Sequence, residues 1–316
     1  VDVLVKGASP PQLSATTEQA REHAAVVALL RFRPDKLTWP EITTAVVEVG
    51  SALAVWERHV PAIRIGGAEA EALQAAAADI ELWGSQKHTF ITILDEDYPT
   101  RLRGIPEAPP VLFARGALRR DDPAVSVVGS REASERGVSI ARSVATSLAQ
   151  EGVTVLAGLA LGIDTAAHLA ALAAGGRTVA VIGTGINKIY PAANRDLHKV
   201  MAKEGLLLSQ FWPDAPPRKH TFLMRNATMS GYGIATVLVE AGEHSGARAQ
   251  ARMAVARGRP VILTDLVVER NDWARALVGR PSVYVATALE DVMTVVGEII
   301  AERSALDAQL HSLLSA

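Results

Sequence analysis

The run Ala157-Gly158-Leu159-Ala160-Leu161-Gly162-Ile163-Asp164-Thr165-Ala166-Ala167-His168 joins an apolar stretch, Val153 to Leu156, to an alanine-rich one, Ala166 to Ala174. A glycine-bearing loop between strand and helix leaves unpaired backbone N–H groups at a helix N-terminus, and such a terminus attracts phosphate. Two more junctions of this kind end apolar runs, at Gly129-Ser130-Arg131 and at Gly183-Thr184-Gly185. Together they predict one anion-binding surface built by one parallel sheet.

Each junction carries side chains suited to that task. At the first, Gly129 permits close approach, Ser130 offers a hydroxyl and its N–H, and Arg131 offers a forked cation that matches phosphate. The alternative is an ordinary turn with an exposed arginine. At the second, Asp164 is placed as an N-cap accepting from the N–H groups of residues 166 and 167. His168 lies four residues on, on the same helical face. An acid–base pair is one reading of Asp164 and His168. No nucleophile or metal-ligand cluster accompanies them, so a cap with an orienting hydrogen bond is preferred. The third junction starts like a dinucleotide fingerprint but has Lys188 where the third glycine belongs, which gives nicotinamide or flavin binding little support. Lys188 could meet a phosphate, and Tyr190 could either stack on a base or pack against Pro191.

Further along, cations are interleaved with an aromatic in Arg218-Lys219-His220-Thr221-Phe222-Leu223-Met224-Arg225-Asn226, just after Phe211-Trp212-Pro213. This pattern suits a nucleic-acid backbone, or a solvated loop entering a helix. Arg218, Lys219, Arg225, Arg248 and Arg252 stand against Glu240 and Glu243, so this part is locally basic. Ser245 is a plausible N-cap, and Gly246 leaves the following helix N-terminus open to a ligand.

The elements that must position these residues are legible as alternating runs. Apolar strand candidates are Val125–Val128, Val153–Leu156, Thr178–Ile182, Leu206–Leu208, Ala235–Val239 and Pro260–Leu263, with helical candidates at 135–150, 165–174, 194–203 and 245–257. Continuous apolar strands at such intervals predict an α/β, Rossmann-like, doubly wound and mostly parallel sheet, with ligands beyond the strands' carboxyl ends. Before it, residues 1–87 read as a small helical domain. Its loose start carries Pro10 and Pro11. Helical runs follow at Thr17 to Leu30, Glu41 to His59 and Ala68 to Trp83, split by Pro34, Pro40, Pro61 and Gly66-Gly67. Residues 88–123 read as a connector packed on the sheet domain of 124–288. In it Phe90 to Leu94 forms a strand, and Ile105 to Phe113, with three prolines, runs extended over a surface. Residues 289–316 form a helical tail.

At 316 residues with 49% hydrophobic content the chain can bury a sizeable core, and 4% aromatic content favours helices on a buried sheet. The absence of cysteine excludes disulfides, thiolate catalysis and cysteine-ligated metals. A formal charge of −2 neither demands nor forbids nucleic acid. No stretch of about 18 uninterrupted apolar residues and no signal-peptide pattern is seen, so the expectation is a soluble cytoplasmic protein without membrane contact. No metal or cofactor is expected.

Taken in order, Gly129-Ser130-Arg131, the Gly158–His168 run, Gly183-Thr184-Gly185 with Tyr190-Pro191 and Asn194, Leu208-Ser209, Arg225-Asn226, Ser230-Gly231 and Val239-Glu240-Ala241 with Ser245-Gly246 resemble the DprA (Smf) family of DNA-processing proteins. Asp97-Tyr98-Pro99, Leu102 and Pro109-Pro110-Val111-Leu112-Phe113 extend the resemblance, which covers roughly residues 90–265. It implies a binding protein without catalysis. Such a protein would hold single-stranded DNA (ssDNA) in a basic pocket, form a homodimer, protect incoming strands in natural transformation and help load the RecA recombinase. By position, Ser130 and Arg131 would hold phosphate. Gly158, Gly162, Gly183 and Gly185 would allow close approach, and Lys188 and Arg225 would add charge. Asp164, His168, Tyr190, Asn226, Ser245 and Arg248 complete the expected site.

The chain departs from the family pattern at Gln210, Ala227, the Ala247–Gln250 stretch and Leu263-Thr264-Asp265. These changes are expected around the pocket rim, with Arg248 partly replacing a cation lost at Ala227. A second reading therefore stays open, a sensor of a nucleotide or nucleotide-derived signal in the same pocket. The least supported reading is a nucleotide phosphoribohydrolase, because the PGGxGTxxE motif is missing.

Overall fold

The computed structural model describes residues 15–60, 68–243 and 245–314, and divides the chain into two units, before and after Leu82/Trp83. The loose start expected with Pro10 and Pro11 and the break at Pro61 and Gly66-Gly67 lie outside the described residues.

The first unit contains helices α1 (Ala15–Phe32), α2 (Trp39–Val49), α3 (Ala52–His59) and most of α4 (Ala68–Gly84). One helix was expected over Glu41 to His59, but two are present. Helix α2 stops at Gly50, and the Ser51 hydroxyl caps α3 by accepting from Ala54 N–H at 3.1 Å. The Glu22 carboxylate of α1 reinforces that start, accepting from Ser51 Oγ and Ala52 N–H, each at 2.6 Å. A carboxylate at a helix N-terminus is stabilising because the free N–H groups there need acceptors. Ala25, Val26, Leu29, Ile42, Val55 and Trp56 form the buried interior.

The second unit is built on strands β1 (Thr89–Thr92), β2 (Val111–Gly116), β3 (Ala124–Gly129), β4 (Thr154–Ala157), β5 (Thr178–Val181), β6 (Leu206–Ser209), β7 (Ala235–Glu240), β8 (Val261–Thr264) and β9 (Val283–Ala286). They form one sheet in the order β1-β2-β6-β5-β4-β3-β7-β8-β9. From β6 to β9 all neighbours are parallel, whereas β1 and β2 add an antiparallel edge. The segment expected to run over a surface is therefore corrected in part. Val111, Leu112, Phe113 and Ala114 are fully buried in a strand that pairs with β1 along its first part and with β6 from Phe113 on, which removes their backbone groups from water.

Helices α5 (Thr100–Arg103), α6 (Glu135–Gln150), α7 (Ile163–Ala173), α8 (Arg195–Glu204), α9 (Lys219–Tyr232), α10 (Gly246–Ala256), α11 (Asp265–Arg270), α12 (Asp272–Arg275) and α13 (Leu289–Leu314) complete the unit. Val125, Val127, Val155, Val237 and Val239 point to one face, where α6, α7 and α13 bury Val144, Leu148, Ile163, Ala167, Val292 and Val296. Alternation along each strand sends Ser126, Val128, Leu156 and Leu238 to the other face. At the amino ends of the strands, Asp122 accepts from Thr154 Oγ1, Arg177 Nε and Tyr232 Oη, a buried junction linking β3, β4, β5 and α9. The chain passes from β3 through β4 and β5 to β6 on one side, then crosses back so that β7 pairs with β3. This reversal opens a crevice beyond the carboxyl ends of β3 and β7.

Candidate nucleic-acid interface

A cavity of about 640 Å³ occupies that crevice, walled by the β3–α6 loop, α9 and the start of α10. Glu240 fixes the loop from the end of β7. Its carbonyl accepts from Ser130 N–H at 2.7 Å, and its carboxylate accepts from Ser134 N–H at 2.8 Å and from Arg270 at 2.8 Å. The Ser130 N–H expected to bind phosphate is thus already used, while its hydroxyl accepts from Glu132 N–H at 3.1 Å. Arg131 is exposed at the cavity, with its guanidinium 5.7 Å from the centroid of the Phe222 ring. Among the described residues no carboxylate pairs with it.

Phe222 is held at the start of α9, where Thr221 Oγ1 donates to the Gly183 carbonyl at 2.6 Å. A Cβ at residue 183 would lie 2.5 Å from the Phe222 ring, so glycine there is what admits the ring. Tyr190 tilts against the same ring at 5.5 Å. A smaller cavity of about 80 Å³ lies beside it, lined by Gly158, Gly183, Tyr190 and Pro191. The two cavities share Arg131, Ala160, Phe222 and Arg225.

The glycine loop after β4 is not an open anion site. Asp164 is not the N-cap of α7, a position taken by Gly162; its buried carboxylate turns back and accepts from Gly158 N–H at 2.9 Å and Ala160 N–H at 3.3 Å. The loop's N–H groups hold the protein's own anion. Burial raises the Asp164 pKa, opposed by Arg225, by both N–H donors and by Arg131. Arg225 is also buried, donating to the carbonyls of Gly158 at 2.7 Å and Val181 at 2.8 Å and to Asn226 Oδ1 at 3.0 Å. Burial lowers its pKa to about 10, so it stays charged at neutral pH. A Cβ at residue 158 would lie 2.0 Å from Arg225 Nη1. Gly158 and Gly183 therefore admit side chains of this chain.

The alternative reading, an Asp164–His168 acid–base pair, is not formed either, since each side chain bonds elsewhere. His168 is fully buried, with Nδ1 2.7 Å from Thr178 Oγ1, whose own proton goes to the Val155 carbonyl. That arrangement makes Nδ1 the protonated nitrogen. Burial, then Arg225, lowers its pKa to about 3. Because the folded pKa lies below the unfolded one, the stabilisation present above pH 6.5 is lost as pH falls towards 3. His168→Gln should therefore flatten the acid limb of stability by about 1.4 kcal/mol per pH unit below pH 6. Urea midpoints measured between pH 7 and pH 4 check this, and parallel limbs would assign the acid sensitivity to other groups.

Of the other expected site residues, Gly129, Asn226 and Ser245 line the large cavity, whereas Gly162, Gly185, Lys188 and Arg248 line neither. A Cβ at Gly185 would meet the Trp212 and Pro213 carbonyls, and Gly185 N–H bonds the Ala215 carbonyl at 2.9 Å. Lys188 is paired with Asp214 at 3.3 Å, and Arg248 donates to the Glu243 carbonyl at 3.0 Å. The supposed rim also divides. Gln210 is buried and accepts from Thr228 Oγ1, and Ala227 faces the interior, whereas Ala247 and Gln250 do line the cavity. Arg248 lines neither cavity, so it adds no cation there in place of Ala227. Lys219, Phe222 and Gln250 were not among the expected site residues. The signal for the first two was the cation–aromatic stretch 218–226.

The family model for DNA recombination-mediator protein A matches residues 89–295. The chain belongs to the DprA family. It is 41% identical over 177 residues to DNA processing protein DprA of Streptococcus pneumoniae, which is 56% of this chain and 62% of that protein. It is 39% identical over 170 residues to protein Smf of Synechocystis, covering 52% of this chain and 43% of the relative. The match to these two DprA-family relatives thus spans less than two thirds of their length. The X-ray structure of S. pneumoniae DprA superposes with a TM-score of 0.67 at 27% identity, covering 90% of this chain and 98% of that one. DprA from Helicobacter pylori, studied for its single-stranded DNA binding mode, shares the fold with a TM-score of 0.60 at 21% identity, covering 68% and 97% of the two chains. No helix among the described residues is long and apolar enough to cross a membrane.

Proposed function

We propose that this DprA-family chain binds ssDNA in the crevice between β3 and β7, as a binding protein without catalysis. The observation that carries the reading is the Phe222 ring between two cavities with the Arg131 guanidinium above it and Lys219 on the same wall. Exposed cations take the phosphates, and an aromatic face takes a base of any sequence by stacking. A duplex keeps its bases stacked on one another and cannot offer that face. The acid–base alternative has less support, because Asp164 is committed to backbone N–H groups and His168 to Thr178. Strand protection during DNA uptake, recombinase loading, a homodimer and a cytoplasmic setting belong to the same proposal, on the strength of the family.

Fluorescence anisotropy with labelled single- and double-stranded oligonucleotides at several salt concentrations tests it. The single strand should bind preferentially, with log affinity falling against log salt by about 0.7 per phosphate neutralised. Equal binding of both forms, or a salt-independent signal, would sink the stacking-and-phosphate mechanism. Failure of any strand to bind, with a thermal shift by a mononucleotide, would favour a nucleotide sensor.

A further inference from the structure

Ser245 caps α10, its hydroxyl accepting from Ala247 N–H at 3.0 Å. The helical period then brings Gly246, Ala247 and Gln250 to one face, and all three line the large cavity. Gln250 is only 2% exposed, yet its Nε2 has no hydrogen-bonding partner among the described residues. A buried amide donor left unmade opposes folding, because its hydrogen bonds to water are lost and nothing replaces them. Methionine would occupy a similar volume without that cost. The neighbouring amide behaves differently: Asn226 accepts from Arg225 through Oδ1 and donates to the Gly246 carbonyl through Nδ2 at 3.3 Å. Gln250 is thus the polar group on this wall that a ligand would complete.

The surroundings indicate which part of a nucleotide meets it. Val128, Met229 and Ala247 line the same cavity and are apolar and buried. They would desolvate a phosphate without compensation, but they suit the flat faces of a nucleobase, whose edge needs hydrogen bonds. We propose that Gln250 reads the edge of a nucleobase of the bound strand, its Nε2–H donating to a base carbonyl oxygen or ring nitrogen. This rests on the ssDNA reading above and adds base preference to an otherwise sequence-tolerant site.

The test compares wild type with Gln250→Met, using labelled dT, dC and dA homopolymers and an abasic oligomer, with unlabelled nucleoside monophosphates as competitors. Wild type should favour one homopolymer by about 5- to 150-fold, the range of a good base-edge contact. Gln250→Met should compress that range, leave the abasic oligomer unchanged and raise the Tm of the free protein. A folded variant with the wild-type ranking would overturn the inference and leave strand binding standing. Wild type that binds no oligomer at low salt would overturn both. Monophosphates that compete as well as the oligomers and in the same order would overturn the strand as the source of the base.

Discussion

Arg131→Ala is expected to weaken ssDNA binding about tenfold to a hundredfold, by a similar factor for every sequence, and to reduce the salt slope by about 0.7. The residue sits on the loop after β3, exposed, without a carboxylate partner among the described residues, and over the Phe222 ring. Its removal costs one charge-assisted phosphate contact and the cation that sits against the stacking platform. It should leave the fold largely intact, because among the described residues its guanidinium donates no hydrogen bond and it is the lesser of the two cations acting on Asp164. Anisotropy at three salt concentrations, with the unfolding midpoint measured alongside, checks both parts. An unchanged affinity, or a loss confined to one base composition, would place the phosphate contact elsewhere.

Arg225→Met acts through a different mechanism and should destabilise the fold by about 3–5 kcal/mol. Two carbonyls, at the ends of β4 and β5, lose their donor, and the buried Asp164 loses the larger of its two attracting cations. The Asp164 pKa should then rise further, since burial already pushes it up. Urea unfolding at pH 7 provides the measurement. A shift smaller than about 1 kcal/mol would mean that the two carbonyls and the carboxylate find other partners. Molecules of the variant that remain folded keep Arg131 and Lys219. Their affinity per folded molecule should fall less than in Arg131→Ala, which separates the buried arginine that builds the site from the exposed one that serves it.

Much of the sheet was legible because strand and helix periods are local. The apolar runs at Val125, Val153, Thr178, Leu206, Ala235 and Pro260 mark six of the strands, and the expected helix over 135–150 agrees with α6. Helix α9 was legible only as a loop entering a helix, without bounds, because Arg225, Asn226, Thr228 and Ser230 are polar yet buried, so no apolar stripe at 3.6-residue spacing marks its inward face. Strand β2 was obscured by the prolines just before it.

The amino-acid order by itself determined the doubly wound, mostly parallel sheet and the family, whereas the meeting of Gly129-Ser130-Arg131 with Ser245-Gly246 came from the β3–β7 pairing. The sheet and the family follow from side-chain periodicity and from short motifs, which need only near neighbours along the chain. Tertiary structure alone decided which polar groups remain free. It gave Asp164 to the backbone of Gly158 and Ala160, His168 to Thr178, Lys188 to Asp214 and Ser130 N–H to Glu240, and it left Arg131 exposed and the Gln250 Nε2 without a partner among the described residues. The physical reason is that a hydrogen bond or ion pair is made by whichever group folding brings within reach. For Ser130 that group lies 110 residues away, across the β3–β7 reversal of the sheet.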